Sequence, residues 1–325
     1  MSFCLFSMRK GLATLAGLLA LAGLASCGGG GQVEPFEPNR ILAFGDELSV
    51  IQADGRKYTV NAFRITDSTT TPPTESTTEV DCARNPIWIQ SVATTFGLVF
   101  DRCPGTATTT SGQVLAQPGH KVADLATQIA AVQGAALNEN DLALVMVGMN
   151  DILELYGSYP TSSRDALLAE ARNRGTALGA RINALALSGP AVVVLTVPDL
   201  GLTPFARAQN TSTNDPSRSA LLSDLTAAFN NRMSVELIND GRLIGLAYGD
   251  IESQNVHRFP SSFGVTNVND AACVTTATLP NCTTATLVTG ATAASYMWAD
   301  ALRPANALQS RLGTIAASRA RNNPF

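Results

Sequence analysis

The chain has 325 residues, 45% of them hydrophobic and 15% charged, with a formal net charge of −4. That much apolar material builds a sizeable core and excludes a disordered chain. With so few cations and no basic run, nucleic acid is excluded as a partner. Taken in chain order, the first predicted element is a leader. Arg9 and Lys10 form a positive start, Gly11 to Gly23 is a short apolar run, and Leu24-Ala25-Ser26-Cys27 reads as a small-residue cleavage site ending in cysteine. The run is too short to span a bilayer and sits where a secretory signal sits.

Cysteine directly after the small residues matches a bacterial lipobox. Residues 1–26 are therefore expected to be a lipoprotein signal peptide, Cys27 the lipidated residue, 27–39 a flexible tether through Gly28–Gly31, and 40–325 a single domain. The expected location is the cell envelope, lipid-anchored; by resemblance to bacterial lipoproteins, Gly28 points to the outer membrane. Arg9 and Lys10 are the only charges before Cys27, so their removal leaves −6 on the rest.

Four apolar runs read as buried strands: Ile41–Phe44, Leu142–Val147, Ala191–Val197 and Leu243–Ala247. Between them, Val122, Leu125 and Ile129 share a helix face, as do Leu178, Ile182 and Leu185, and Leu221, Leu225, Phe229 and Met233. Strands alternating with helices predict a parallel sheet covered on both faces, an α/β three-layer αβα fold. Thr66–Val80, Ala208–Ser219 and Cys273–Ser295 are polar and read as surface insertions. Four cysteines remain beyond Cys27 in an oxidising compartment. Local pairing gives Cys82–Cys103 and Cys273–Cys282, one of about three connectivities. A zinc site competes weakly, since no Cys-x-x-Cys occurs; no metal or cofactor is expected.

Ligands of open parallel sheets bind beyond the carboxyl ends of the strands, so the residues after each run are the candidates. They are Gly45-Asp46-Glu47-Leu48-Ser49, then Gly148-Met149-Asn150-Asp151, then Pro198-Asp199-Leu200-Gly201-Leu202-Thr203-Pro204. In that order they resemble the blocks of the GDSL-type (SGNH) ester hydrolases. Phe44–Ser49 resembles F-G-D-S-L-S, and Pro118-Gly119 the second block. Gly148-x-Asn150-Asp151 is similar to G-x-N-D, and Val197–Pro204 to V-P-x-L-G-x-T-P. Phe229-Asn230, Phe263–Asn267 and Trp298–Pro304 complete a set running from about Arg40 to Gly313. The resemblance implies a flavodoxin-like sheet, oxyanion donors at Gly119 and Asn150, and a triad aspartate at Asp300.

Two positions depart from the pattern. Glu47 stands where the nucleophilic serine belongs, and Arg303 where the histidine base belongs. A carboxylate is a poor acyl nucleophile, and a guanidinium never gives up its proton to act as a base. Ser49 does not restore the nucleophile, because the family has a second serine there that points elsewhere. The charges are complementary, so a Glu47–Arg303 salt bridge is expected, bidentate if geometry allows, with Asp300 joining if the chain bends suitably. The oxyanion donors are expected to stay available for residual catalysis of roughly 10³–10⁴ over water.

Three functions compete at this point. A catalytically degenerate lipoprotein would bind or organise an acyl ester, a glycan or a protein at the envelope. A working esterase or lipase would need a displaced serine and base, His120 and His257 being the candidates for the latter. A carboxylate pair or metal site drawn from Asp46, Glu47, Asp151 and Asp300 is the third.

Overall fold

The computed structural model describes residues 35–325. The leader, Cys27 and the tether up to residue 34 lie outside the described residues. Nine strands and eight helices of six or more residues follow. They are β1 (Arg40–Gly45), β2 (Phe63–Asp67), β3 (Thr74–Val80), α1 (Trp88–Thr95), β4 (Gly112–Val114), α2 (Leu125–Ala130), β5 (Asp141–Met146), α3 (Met149–Gly157), α4 (Arg164–Leu187), β6 (Ala191–Leu195), α5 (Pro204–Ser212), α6 (Arg218–Glu236), β7 (Ile244–Ala247), α7 (Gly249–Arg258), β8 (Asn267–Ala271), β9 (Tyr296–Trp298) and α8 (Asn306–Asn322).

Five strands form one parallel sheet in the order β4-β1-β5-β6-β7. Every residue of β5 and β6 is buried, which requires cover on both faces and explains why these strands read as unbroken apolar runs. The cover comes from two helix pairs, α4 with α6 and α1 with α8. Among the described residues, no helix is long and apolar enough to cross a membrane.

Three details differ from the sequence reading. β4 is a fifth strand of only three residues, too short to stand out as an apolar run. Thr66–Val80 is an exposed insertion outside the main sheet, as read, but most of it is ordered in the antiparallel hairpin β2–β3. Ala208–Ser219 is partly helical: Pro204 opens α5, the Thr203 hydroxyl accepts from the Ala206 amide, and the helix runs to Ser212. Polar composition hid a helix whose exposed face needs no apolar residues. The four cysteines stand as Cys82–Cys103 and Cys273–Cys282, the sequence-local pairing.

Candidate functional site

The centre forms where β1 and β5 end. Gly45 closes β1 and Gly148 lies two residues past β5, with φ of 137° and 136°, values that side chains rarely adopt. A Cβ on Gly45 would lie 1.8 Å from the Met146 carbonyl oxygen, and one on Gly148 would lie 2.5 Å from the Phe229 ring. These glycines let the chain turn sharply and present the next residues at the sheet's carboxyl pole. After Gly45, Asp46 caps a turn of 3-10 helix over Glu47–Ser49, its Oδ1 accepting from the Leu48 amide at 3.2 Å. After Gly148, Asn150 sits in the first turn of α3.

Glu47 is 2% exposed and both of its carboxylate oxygens are engaged. Oε1 accepts from Arg303 Nη2 at 2.8 Å. Oε2 accepts from the Gly119 amide at 3.0 Å and from Asn150 Nδ2 at 2.9 Å. The guanidinium is shared, since Arg303 Nη1 donates to Asp300 Oδ2 at 2.9 Å. The contact with Glu47 is therefore a single hydrogen bond, not a bidentate fork. Asp300 is held by its own loop: Oδ1 accepts from the amides of Leu302 and Arg303 at 2.8 and 2.7 Å. The Arg303 guanidinium also lies 6.0 Å from the Tyr58 ring centroid.

Burial pushes the Glu47 carboxyl up, but hydrogen bonds from Asn150, Gly119 and Arg303 outweigh it and hold the group below its ordinary range. Arg303 is lowered by burial and raised by Asp300 and Glu47, with a net rise. Asp46 goes the other way. Fully buried beside the Glu47 charge, it is raised well above a normal aspartate, and its Oδ2 has no partner. Glu47 and Arg303 are thus both charged, as a pair.

Gly119 and Asn150, which the resemblance marks as oxyanion donors, both donate to the same oxygen of Glu47. This corrects the expectation that the donors stay available. The carboxylate is longer than a serine hydroxyl, and if these two donors are the oxyanion donors that the resemblance implies, its Oε2 takes the place of a developing oxyanion. An incoming carbonyl would have to expel that oxygen first, breaking the Arg303 contact as well.

The other candidates are committed elsewhere. Ser49 is fully buried, its hydroxyl accepting from Trp88 Nε1 at 3.1 Å. Asp151 accepts from the Val122 amide at 3.0 Å and faces Arg174. His257, on α7, has its pKa lowered chiefly by burial, with Asp199 and Arg207 as its charged neighbours. Trp298 and Met297 are core residues. One support gave no signal in the sequence. Gln128 braces the strand end, accepting from the Gly45 amide and donating to its carbonyl, both at 2.8 Å. Its Nε2 lies 2.8 Å from His120 Nδ1. An amide nitrogen only donates, so His120 Nδ1 accepts there and is spoken for.

The sequence matches the model of the GDSL-like lipase/acylhydrolase family over residues 41–282, which includes Glu47, Gly119 and Asn150 and stops short of Asp300 and Arg303. No curated protein matches it. Among solved structures it is similar to the acetylxylan esterase Axe2 from Geobacillus stearothermophilus, at 10% identity over 88% of this chain and 96% of that one, with a TM-score of 0.39. It is likewise similar to Est24, a carbohydrate acetylesterase from Sinorhizobium meliloti, at 14% identity, 86% and 97% coverage and a TM-score of 0.38. A third is LAE5, an alpha/beta hydrolase enzyme from the metagenome of Lake Arreo, at 12% identity, 87% and 94% coverage and a TM-score of 0.40. With the family model covering most of its length and the motif residues converging at the carboxyl pole of the sheet, the chain belongs to the GDSL-like lipase/acylhydrolase family.

Proposed function

We propose that this family member does not hydrolyse esters and instead serves a binding or structural role at the cell envelope, anchored in the outer membrane through a lipid on Cys27. The observation that carries the first half is the Glu47 carboxylate seated between Gly119 and Asn150 and paired with Arg303. Acyl transfer needs a hydroxyl nucleophile, a base to take its proton, and free donors for the oxyanion. At this centre the first is a carboxylate, the second a permanent cation, and the third is in use. Loss of a triad serine or histidine alone costs about 10⁶ in kcat in the subtilisin case. Occupation of the donors removes the residual route that such variants retain.

The anchor rests on the lipobox pattern at Leu24–Cys27 and on the two disulfides of the domain that follows, which suit an oxidising compartment. Replacing Cys27→Ser should release the chain from the membrane fraction and abolish incorporation of labelled palmitate. For the centre, the wild-type protein should remain unlabelled by a fluorophosphonate probe, which reports activated serines. A probe-modified serine would overturn the proposal in favour of an ester hydrolase with non-standard residues.

A further inference from the structure

Away from the centre, the sheet ends on one side at β7. Among the described residues β7 pairs with β6 alone, whereas β4, at the opposite edge, is bridged on its outer side by Phe100. The Val192 and Thr196 amides donate to the carbonyls of Leu243 and Ala247, so alternation turns the amides and carbonyls of Ile244 and Leu246 outward. Ile244 is capped there. Its amide donates to the Asp240 carbonyl at 3.0 Å, and its carbonyl accepts from Asn323 Nδ2 at 3.1 Å. Neither outward group of Leu246 has a hydrogen-bond partner among the described residues. The surface around this opening is concave and largely apolar: two cavities of about 500 and 540 Å³ flank β7 and share Tyr248 and Arg319. Val235, Tyr248 and Ile251 in their walls are 73, 50 and 50% exposed, half of the six large hydrophobic side chains exposed among the described residues. An open strand edge beside clustered apolar side chains is a surface built to be covered.

We propose that this edge is an interface with a second copy of the chain, the two β7 strands pairing antiparallel across a two-fold axis at Leu246. On such an axis the two copies of Leu246 oppose each other, and each amide donates to the other's carbonyl. The one open residue of the strand is thus satisfied by its own counterpart, and the apolar grooves on either side close against each other. An extended peptide fits less well. Strand addition draws its affinity from a run of main-chain bonds, and the capping of Ile244 interrupts that run. The chain's own segment ahead of the domain is no better, since Gly28 to Glu34 holds a single apolar side chain, Val33. Charge does not oppose the pairing. Asp240 and Glu252 in the groove are paired with Arg242 and Arg311, which leaves Arg319 as its one cation without an ion-pair partner among the described residues. One exposed cation per copy is largely screened at physiological salt. The interface goes beyond the proposed function and holds whether or not the centre turns over an ester.

Sedimentation equilibrium of the full, detergent-solubilised chain, in solvent matched to the detergent's density, tests this. A dimer is expected, with a Kd on the order of 1–100 μM. The double change Val235→Glu with Ile251→Glu alters only exposed positions and should weaken the dimer at least about tenfold, with the melting midpoint unchanged. Oxidative cross-linking reads the register. Opposed residues of an antiparallel hydrogen-bonded pair have Cα atoms about 5.5 Å apart, within disulfide reach, so Leu246→Cys should yield a covalent dimer. Tyr248→Cys, which opposes residue 244 of the second copy, should cross-link at least about tenfold more slowly. A chain that stays monomeric at roughly 0.5 mM, about five times the weakest expected Kd, would overturn the proposal. So would a dimer indifferent to the double change, or equal cross-linking at 246 and 248. Binding of a monomeric chain to phosphatidylcholine vesicles, weakened by the same double change, would assign the surface to lipid and likewise overturn it.

Discussion

Glu47 and Arg303 are unequal partners, and the difference follows from burial. Glu47 has three donors and is 2% exposed, whereas the Arg303 side chain is 27% exposed and keeps Asp300 if Glu47 is lost. Glu47→Ala leaves a cavity, two unused donors and a half-paired guanidinium, and should cost about 3–5 kcal/mol by chemical denaturation. Arg303→Ala leaves Glu47 with Gly119 and Asn150, and should cost only about 1–2 kcal/mol. The acid limb gives a second reading of the same pair. A carboxyl held below its ordinary value of 4.5 contributes stability that is present above that value and lost as pH falls through the folded one. The gap in stability between wild type and Glu47→Gln should therefore shrink below about pH 4.5, as followed by thermal melts. If the gap were constant with pH, the Glu47 charge would not be the stabilising element.

The vacated donors supply a further prediction. In Glu47→Ala the Gly119 amide, Asn150 Nδ2 and the Arg303 guanidinium would converge on an empty space of carboxylate size. Roughly 100 mM acetate should raise the melting midpoint of that variant by about 3 °C more than chloride does, and leave the wild type unmoved. An equal response of the two proteins would show that the donors are not preorganised without Glu47.

At the scale of elements, the strands deliver the site and the loops clamp it. The segment from Lys57 to Asn61 is the least obvious of these clamps. Lys57 is fully buried, and its Nζ donates to the carbonyls of Cys82, Arg84 and Asn85 at 2.7, 2.7 and 2.9 Å. Burial draws its pKa down to about 7, with Asp81 acting against the fall. The Thr59 hydroxyl donates to the Pro304 carbonyl, next to Arg303, and Asn61 reaches the Cys282 carbonyl. One short stretch thus ties the Cys82–Cys103 loop to the Arg303 loop and to the second disulfide. Lys57→Met would leave the carbonyls of Arg84 and Asn85 without a donor, Cys82 keeping Gln90 Nε2 at 2.9 Å, and should destabilise the fold by about 3 kcal/mol. A cost under about 1 kcal/mol in a denaturant titration would mean that water takes over the cage.

For the molecule as a whole, the sheet was legible because four of its five strands are apolar on both faces, and the helices because their apolar residues recur three or four apart. β4 escaped notice, since three residues with a glycine at their head carry no periodicity. The centre was legible for a different reason. Gly45 and Gly148 are required by backbone geometry, so the residues after them stay in recognisable register even where Glu47 stands in place of the expected serine. Charge complementarity was enough to anticipate a Glu47–Arg303 contact. The seat of Oε2 between Gly119 and Asn150 was not, because it depends on side-chain reach across three loops far apart in sequence. Gln128 and Lys57 were equally silent, their partners being backbone groups that leave no pattern in the residue types.

Under the proposed function, an intact hydrolase frame is held inactive by two side chains. Hydrolysis of p-nitrophenyl acetate by the wild type, by Glu47→Ser, by Arg303→His and by the double variant tests it most directly. Turnover above background is expected in the double variant alone, where a serine, an imidazole oriented by Asp300 and two freed oxyanion donors return together. Turnover by the wild type that persists in Glu47→Ala would contradict it.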